Sequence, residues 1–166
     1  DLMAVNSLNY GLYAQHGAFA DLGPRLANDS DLAARDFYPN ALAAFQWQGK
    51  QQALPRDLSD LVVYYNRDAF RRAGLSEPRA DWTWDEALAA AKALTDRQAH
   101  PKLFGVSFYK KPPLFWLPFV WSWGGAPWPD DFSAFALDSP EAKAGLRFYR
   151  DLRTRWHVAP TQAESG

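Results

Sequence analysis

The chain has 166 residues, 18 basic and 19 acidic side chains and a formal net charge of -1. Such a balance excludes a broad basic footprint for nucleic acid or an anionic membrane surface, and no apolar run approaches the roughly 20 residues that span a bilayer. There is no cysteine, so disulfides, thiolate nucleophiles, zinc–thiolate sites and iron–sulfur clusters are excluded. A chain without thiols suits an oxidising compartment, although cytosolic chains also lack them.

In chain order, Leu2-Met3-Ala4-Val5 reads as a short buried strand at the very start, with none of the features of a signal peptide. Asn6 to Gly11 reads as a polar loop, Leu12 to His16 as a short helical turn ended by Gly17, and Phe19 to Pro24 as a further loop. Asp36 to Phe45 has helical spacing, with Phe37, Ala41, Ala44 and Phe45 on one face. Trp47 to Gln51 predicts a hairpin turning at Gly49. After the polar, Pro-interrupted stretch Ala53 to Asp60, Leu61-Val62-Val63-Tyr64-Tyr65 predicts a fully buried strand. Asn66 caps a short helix through Phe70, with Gly74 at its C′ position.

Thr83-Trp84-Asp85-Glu86 is a capping box, with Trp82 placed to staple onto Ala87, and strong helix formers run on to Asp96. Phe104 to Phe108 predicts another buried strand. Leu114 to Trp123 predicts an aromatic helix with Pro118 in its first turn, stopped by Gly124-Gly125. Ser139-Pro140-Glu141 opens a last helix, whose apolar face is Ala142, Leu146, Tyr149, Leu152 and Trp156. Strands alternating with helices predict an α/β sheet. Residues 1–60 hold four basic and seven acidic side chains, so a small charge shift coincides with a candidate boundary at Pro55 to Asp60.

Aromatic residues make up 16% of the chain. Most should serve a core, because pockets are small compared with cores. Phe108 to Trp116 is the best ligand-contact segment, since it follows a predicted strand and open α/β sheets bind ligands at the C-terminal ends of their strands. Tyr109 and Trp116 offer flat faces for the C–H surface of a sugar. His16, His100 and His157 have no metal-binding spacing, and no nucleophile elbow, P-loop or dinucleotide fingerprint occurs. Asp57 and Asp60 allow a two-carboxylate glycosidase reading beside a cap or turn role. Asp130-Asp131 reads as a solvated turn, and Lys110-Lys111 suits either a phosphate or a solvated turn.

The blocks Ala53-Leu54-Pro55, Leu61-Val62-Val63-Tyr64-Tyr65-Asn66 through Gly74-Leu75, Trp82-Thr83-Trp84-Asp85-Glu86, Trp123-Gly124-Gly125-Ala126 and Leu137 to Leu152 lie in an order that resembles the family 1 extracellular solute-binding proteins of ABC transporters, the group of maltose-binding protein. Gly17 to Leu22 and Gly49 to Pro55 extend the likeness upstream. The resemblance implies a type II periplasmic-binding-protein fold of two α/β lobes, of which this chain is a central excerpt. Residues 1–57 would belong to the N-terminal lobe, 58–65 to a hinge crossing and 66–166 to the C-terminal lobe.

The resemblance further implies a binding protein without turnover. Two lobes close on a carbohydrate and the closed form docks on a membrane permease. It implies a monomer in the periplasm or outside the cell, with a lipid anchor as one option, and no cofactor. Carried over by position, the ligand residues are Asn6, Asn9 and Tyr10, then Arg56, Asp57, Ser59 and Asp60, then Tyr109, Lys110, Pro113, Phe115 and Trp116. Ser59 and Pro112-Pro113-Leu114 depart from the maltodextrin pattern, so maltose is not predicted. A non-sugar polar solute such as glycerol phosphate is the alternative.

Overall fold

The computed structural model describes residues 2–108, 114–129 and 134–164. The chain divides into two units, Asp1–Val63 and Tyr64–Gly166.

Unit 1 is built from short pieces. Helix α1 (Ser7–Ala14) begins at Asn6, whose side chain accepts from the Leu8 amide at 2.9 Å. The segment from Asn6 to Gly11, expected as a loop, is therefore mostly helix: Asn6 acts as an N-cap, which satisfies an orphan donor. Helix α2 (Gly23–Asn28), also expected as loop at its start, uses Pro24 in its first turn, where a missing N–H costs nothing. The single helix expected over Asp36 to Phe45 is broken into a 3-10 turn (Ala34–Asp36) and α3 (Pro39–Ala43). The reason is local: Pro39 forces the preceding Tyr38 out of the helical region, to φ -61 and ψ 129.

The hairpin forms as predicted, with β1 (Gln46–Trp47) antiparallel to β2 (Lys50–Gln51). Gly49 at φ 77 takes the left-handed turn position that glycine adopts without strain. Tyr10 and Ala14 on α1 and Ala41 on α3 are buried. The Gln51 side-chain amide, 7% exposed, donates to the carbonyls of Leu42 at 3.0 Å and Ala53 at 2.6 Å, satisfying buried backbone acceptors.

Unit 2 is organised by three capped helices. Helix α4 (Arg67–Arg72) is capped by Asn66, which accepts from the Ala69 amide at 3.0 Å, and is followed by Gly74 at φ 66. Helix α5 (Trp84–Leu94) carries the predicted capping box: Thr83 Oγ1 accepts from the Glu86 amide at 3.3 Å and Glu86 accepts from the Thr83 amide at 2.9 Å. Trp82 packs edge-on against Phe70 at 6.3 Å. Helix α6 (Leu117–Ser122) has Pro118 in its first turn, and α7 (Pro140–Thr154) starts at Ser139 and Pro140 as expected. Helices α6 and α7 touch closely, because a Cβ on Gly145 would collide with the Phe119 carbonyl.

The core of unit 2 is Ala91, Phe119, Leu152, Val158 and Ala159, surrounded by Trp84, Val106, Phe108, Trp123, Phe148, Tyr149 and Trp156. Trp84 stacks on Phe119 at 4.4 Å. Seven aromatic residues gather here: Phe119, Trp84, Phe108, Trp123, Phe148, Tyr149 and Trp156.

Three strand predictions are corrected. Leu2 to Val5, Leu61 to Tyr65 and Phe104 to Phe108 form no strands. Among the described residues the regular pairing is β1 with β2, plus a single bridge between Asp96 and Leu103. A strand needs a neighbour for its N–H and C=O groups, and among the described residues none of the three apolar runs gains a pairing strand. Leu61, Val62, Val63 and Tyr64 are 53%, 63%, 72% and 92% exposed, the reverse of the burial expected. Phe104 to Phe108 instead lies against the helices, anchored where the Val106 amide donates to the Val158 carbonyl at 3.1 Å.

Candidate functional site

The predicted ligand residues fall into three groups that local structure positions differently. On α1, Asn6 is committed to its capping bond, while Asn9, one turn on, has an exposed side chain. Tyr10 points inward and is 4% exposed. Its hydroxyl donates to the Phe45 carbonyl at 2.9 Å and lies 3.3 Å from Oε1 of Gln52, and its ring stacks on Phe19 at 5.7 Å. Burial pushes the Tyr10 hydroxyl above its ordinary pKa. The ring that sequence position offered to a ligand is held by its own unit.

The second group follows Pro55. Arg56 and Asp57 form an ion pair at 2.9 Å, with side chains 83% and 71% exposed, so the pair contributes little to stability. Ser59 and Asp60 are exposed in irregular backbone. The same stretch ends at Tyr65, whose hydroxyl donates to Glu77 Oε2 at 2.8 Å, while Arg67 Nε donates to Oε1 at 2.8 Å. These two bonds, Tyr65 first, hold the Glu77 carboxyl below its ordinary value.

The third group stands at the entrance of α6. Trp116 is the N-cap residue, its carbonyl accepting from the Phe119 amide at 3.1 Å, and both Phe115 and Trp116 are half-buried. Tyr109 and Lys110, with Lys111 to Pro113, lie outside the described residues, as does Asp130-Asp131. Asn6, Asn9, Asp57, Ser59 and Asp60 therefore belong to unit 1, and Phe115 and Trp116 to unit 2. No group of three or more His, Cys, Asp or Glu side chains among the described residues could hold a metal.

Sequence reading missed two features. One is a cavity of about 570 Å³ within unit 1, lined by Asp21, Leu26, Arg35, Leu42, Gln46 and Gln51 among others; its walls come from α2, the 3-10 turn and the hairpin, which no short motif marks as neighbours. The other is Arg153, which lies over the rings of Tyr149 and Phe108 at 4.6 and 5.4 Å. The available signal for Arg153 was its spacing of four from Tyr149 on one helix face.

Comparison with known proteins gives these placements a frame. An ABC substrate-binding protein from Listeria monocytogenes, Lmo0181, in complex with cycloalternan, is 30% identical, covers 96% of this chain and superposes with a TM-score of 0.78. An ABC transporter solute-binding protein from Thermotoga lettingae bound with alpha-D-tagatose is 28% identical over 89% of this chain, with a TM-score of 0.69. This chain spans 40% and 38% of those two chains. The sn-glycerol-3-phosphate-binding periplasmic protein UgpB of Brucella abortus is 40% identical over 53 residues, which are 32% of this chain and 12% of UgpB. The fold is thus that of a type II periplasmic binding protein, in the part this chain spans. A profile of the bacterial extracellular solute-binding proteins matches residues 1–165, and the chain belongs to that family.

Proposed function

We propose that the chain acts as the solute-binding component of an ABC importer, outside the cytoplasmic membrane, and that its solute is a carbohydrate handed on to membrane permease subunits. The observation that carries this reading is the family match across residues 1–165, joined to two relatives near 30% identity whose structures hold sugars. In this reading residues 58–65 are the crossing between lobes. The residues proposed as partners for the solute's hydroxyls are Asn9, Asp57, Ser59 and Asp60, with Asn6 and Tyr10 setting the position of α1. Phe115 and Trp116 are proposed as flat faces, with Tyr109 and Lys110 in the same segment of the sequence. A sugar ring stacks its C–H face on an indole while its hydroxyls donate charge-assisted hydrogen bonds to carboxylates. The solute is bound and released without turnover, by a monomer that needs no cofactor.

A thermal-shift screen tests the reading. A true ligand at 100 times its Kd stabilises the folded chain by about 2.7 kcal/mol. Mono- and oligosaccharides should raise the midpoint, and Trp116→Ala should weaken binding by about 1–3 kcal/mol if its ring stacks as bases do on aromatic side chains. No shift with any sugar would overturn the carbohydrate assignment. A second reading, a phosphorylated polyol such as glycerol phosphate, is favoured by the stretch that is 40% identical to UgpB. Glycerol 3-phosphate belongs in the same screen.

A further inference from the structure

The cavity inside unit 1 is walled by none of the described residues proposed for the carbohydrate. Its volume of about 570 Å³ falls within the range of small-molecule sites. It borders a polar atom that the fold fixes and leaves unused. Gln51 is 7% exposed, and three carbonyls surround its Nε2, those of Leu42, Phe45 and Ala53 at 3.0, 3.4 and 2.6 Å. A carbonyl can only accept, so these three settle which end of the amide is the nitrogen. Gln51 Oε1 accepts from no donor among the described residues. No fully buried side-chain oxygen or nitrogen among them is left without a partner. Oε1 therefore meets open space, and the open space that Gln51 borders is this cavity.

Two opposite charges line the same cavity. Arg35, in the 3-10 turn, pairs with no carboxylate among the described residues. Asp21 spends Oδ1 on the Gly23 amide at 2.9 Å and pairs with no cation there, which leaves Oδ2 as an acceptor. Leu26 and Leu42 supply apolar wall, and none of the described lining residues is aromatic. A neutral sugar would find no ring to stack on and would leave both charges unmatched. A zwitterion matches both. Its carboxylate suits the guanidinium fork of Arg35, its ammonium brings three donors for Asp21 Oδ2 and Gln51 Oε1, and an aliphatic side chain covers the two leucines.

We propose that this cavity is a second ligand site, contained within unit 1, for a small aliphatic α-amino acid. It is independent of the carbohydrate reading. Calorimetric titration of the full chain with L-leucine, leucinol and 4-methylpentanoate tests it. L-Leucine should bind to wild type. Leucinol lacks the carboxylate and 4-methylpentanoate lacks the ammonium, so each should bind at least roughly 10-fold more weakly, the loss of one charged hydrogen-bonding group. Arg35→Gln and Asp21→Asn should each weaken L-leucine by roughly 10- to 100-fold. Both positions are exposed, and Asn can still accept from the Gly23 amide. Should a variant fail to fold, the two analogues on wild type carry the test. No saturable heat with L-leucine overturns the proposal, as do equal affinities for the three compounds. Wild-type affinity for L-leucine in either folded variant would place its binding outside this cavity and overturn it as well.

Discussion

Units 1 and 2 solve the same folding problem with different materials. Unit 2 buries Phe70, Leu117, Phe119, Val120, Leu152 and Val158, and its rings form a continuous network around Phe119. Unit 1 buries Tyr10, Ala14 and Ala41, and leaves Leu8 and Leu12 of α1 61% and 58% exposed. Its interior is joined by polar contacts instead: the Tyr10 hydroxyl on the Phe45 carbonyl, and the Gln51 amide on the carbonyls of Leu42 and Ala53. Apolar burial is worth roughly 1.5–3 kcal/mol for each large side chain, whereas a neutral hydrogen bond nets about 1 kcal/mol. Unit 2 is therefore expected to be the more stable of the two.

The largest test of that difference is Phe119→Ala. Deleting a ring that meets Trp84, Phe108 and Tyr149 should cost about 3–5 kcal/mol. Trp47 is the sole tryptophan in residues 1–63, so its fluorescence can report unit 1 separately once the others are replaced by Phe. Urea titration should show unit 2 unfolding earlier in Phe119→Ala while the Trp47 transition stays in place. A Trp47 transition that moves equally would mean that the two units unfold as one.

A smaller effect is expected in unit 1. Tyr10→Phe keeps the stacking on Phe19 and removes the hydroxyl from Phe45. The Phe45 carbonyl still accepts from the Gln52 amide at 3.1 Å, so the loss should be about 1 kcal/mol, seen as an earlier Trp47 transition. No change there would mean that the buried polar contacts of unit 1 do not hold it together.

The smallest effect is a pH dependence in unit 2. The Thr161 amide and hydroxyl, then Lys102, lower the Glu164 carboxyl from 4.5 to about 2. Because the folded value lies below the ordinary one, the contribution of Glu164 is fully present above pH 4.5 and is lost as the pH falls towards 2. Midpoints measured across that window should fall less steeply for Glu164→Gln than for wild type. Identical slopes would place the acid sensitivity elsewhere.

How much of this was legible beforehand depended on the range of the interaction. The caps at Asn66, Thr83 with Glu86, and Ser139, together with the Gly49 hairpin, were all read correctly, because each joins groups within a few residues. The break before Pro39 was legible in principle, from the restriction that proline places on its neighbour, but the apolar spacing from Phe37 to Phe45 masked it. Of the candidate site, residue types and order were readable, but the start of α6 was not, since the helix expected from Leu114 begins at Leu117. The inward turn of Tyr10 was not, since its partners Phe45 and Gln52 lie 35 and 42 positions away.

By itself, then, the amino-acid order determined the family, the helix starts at Asn66, Thr83 and Ser139, and the glycine turns. Those depend on bonds closed within one turn of chain or on recognisable blocks in series. Tertiary structure alone decided that Leu61 to Tyr65 stays exposed rather than pairing, that the rings of unit 2 gather on Phe119, and that Arg153 rests on Phe108. Each needs a partner distant in sequence, and a run of β-branched or aromatic residues states a preference for burial without naming what will cover it.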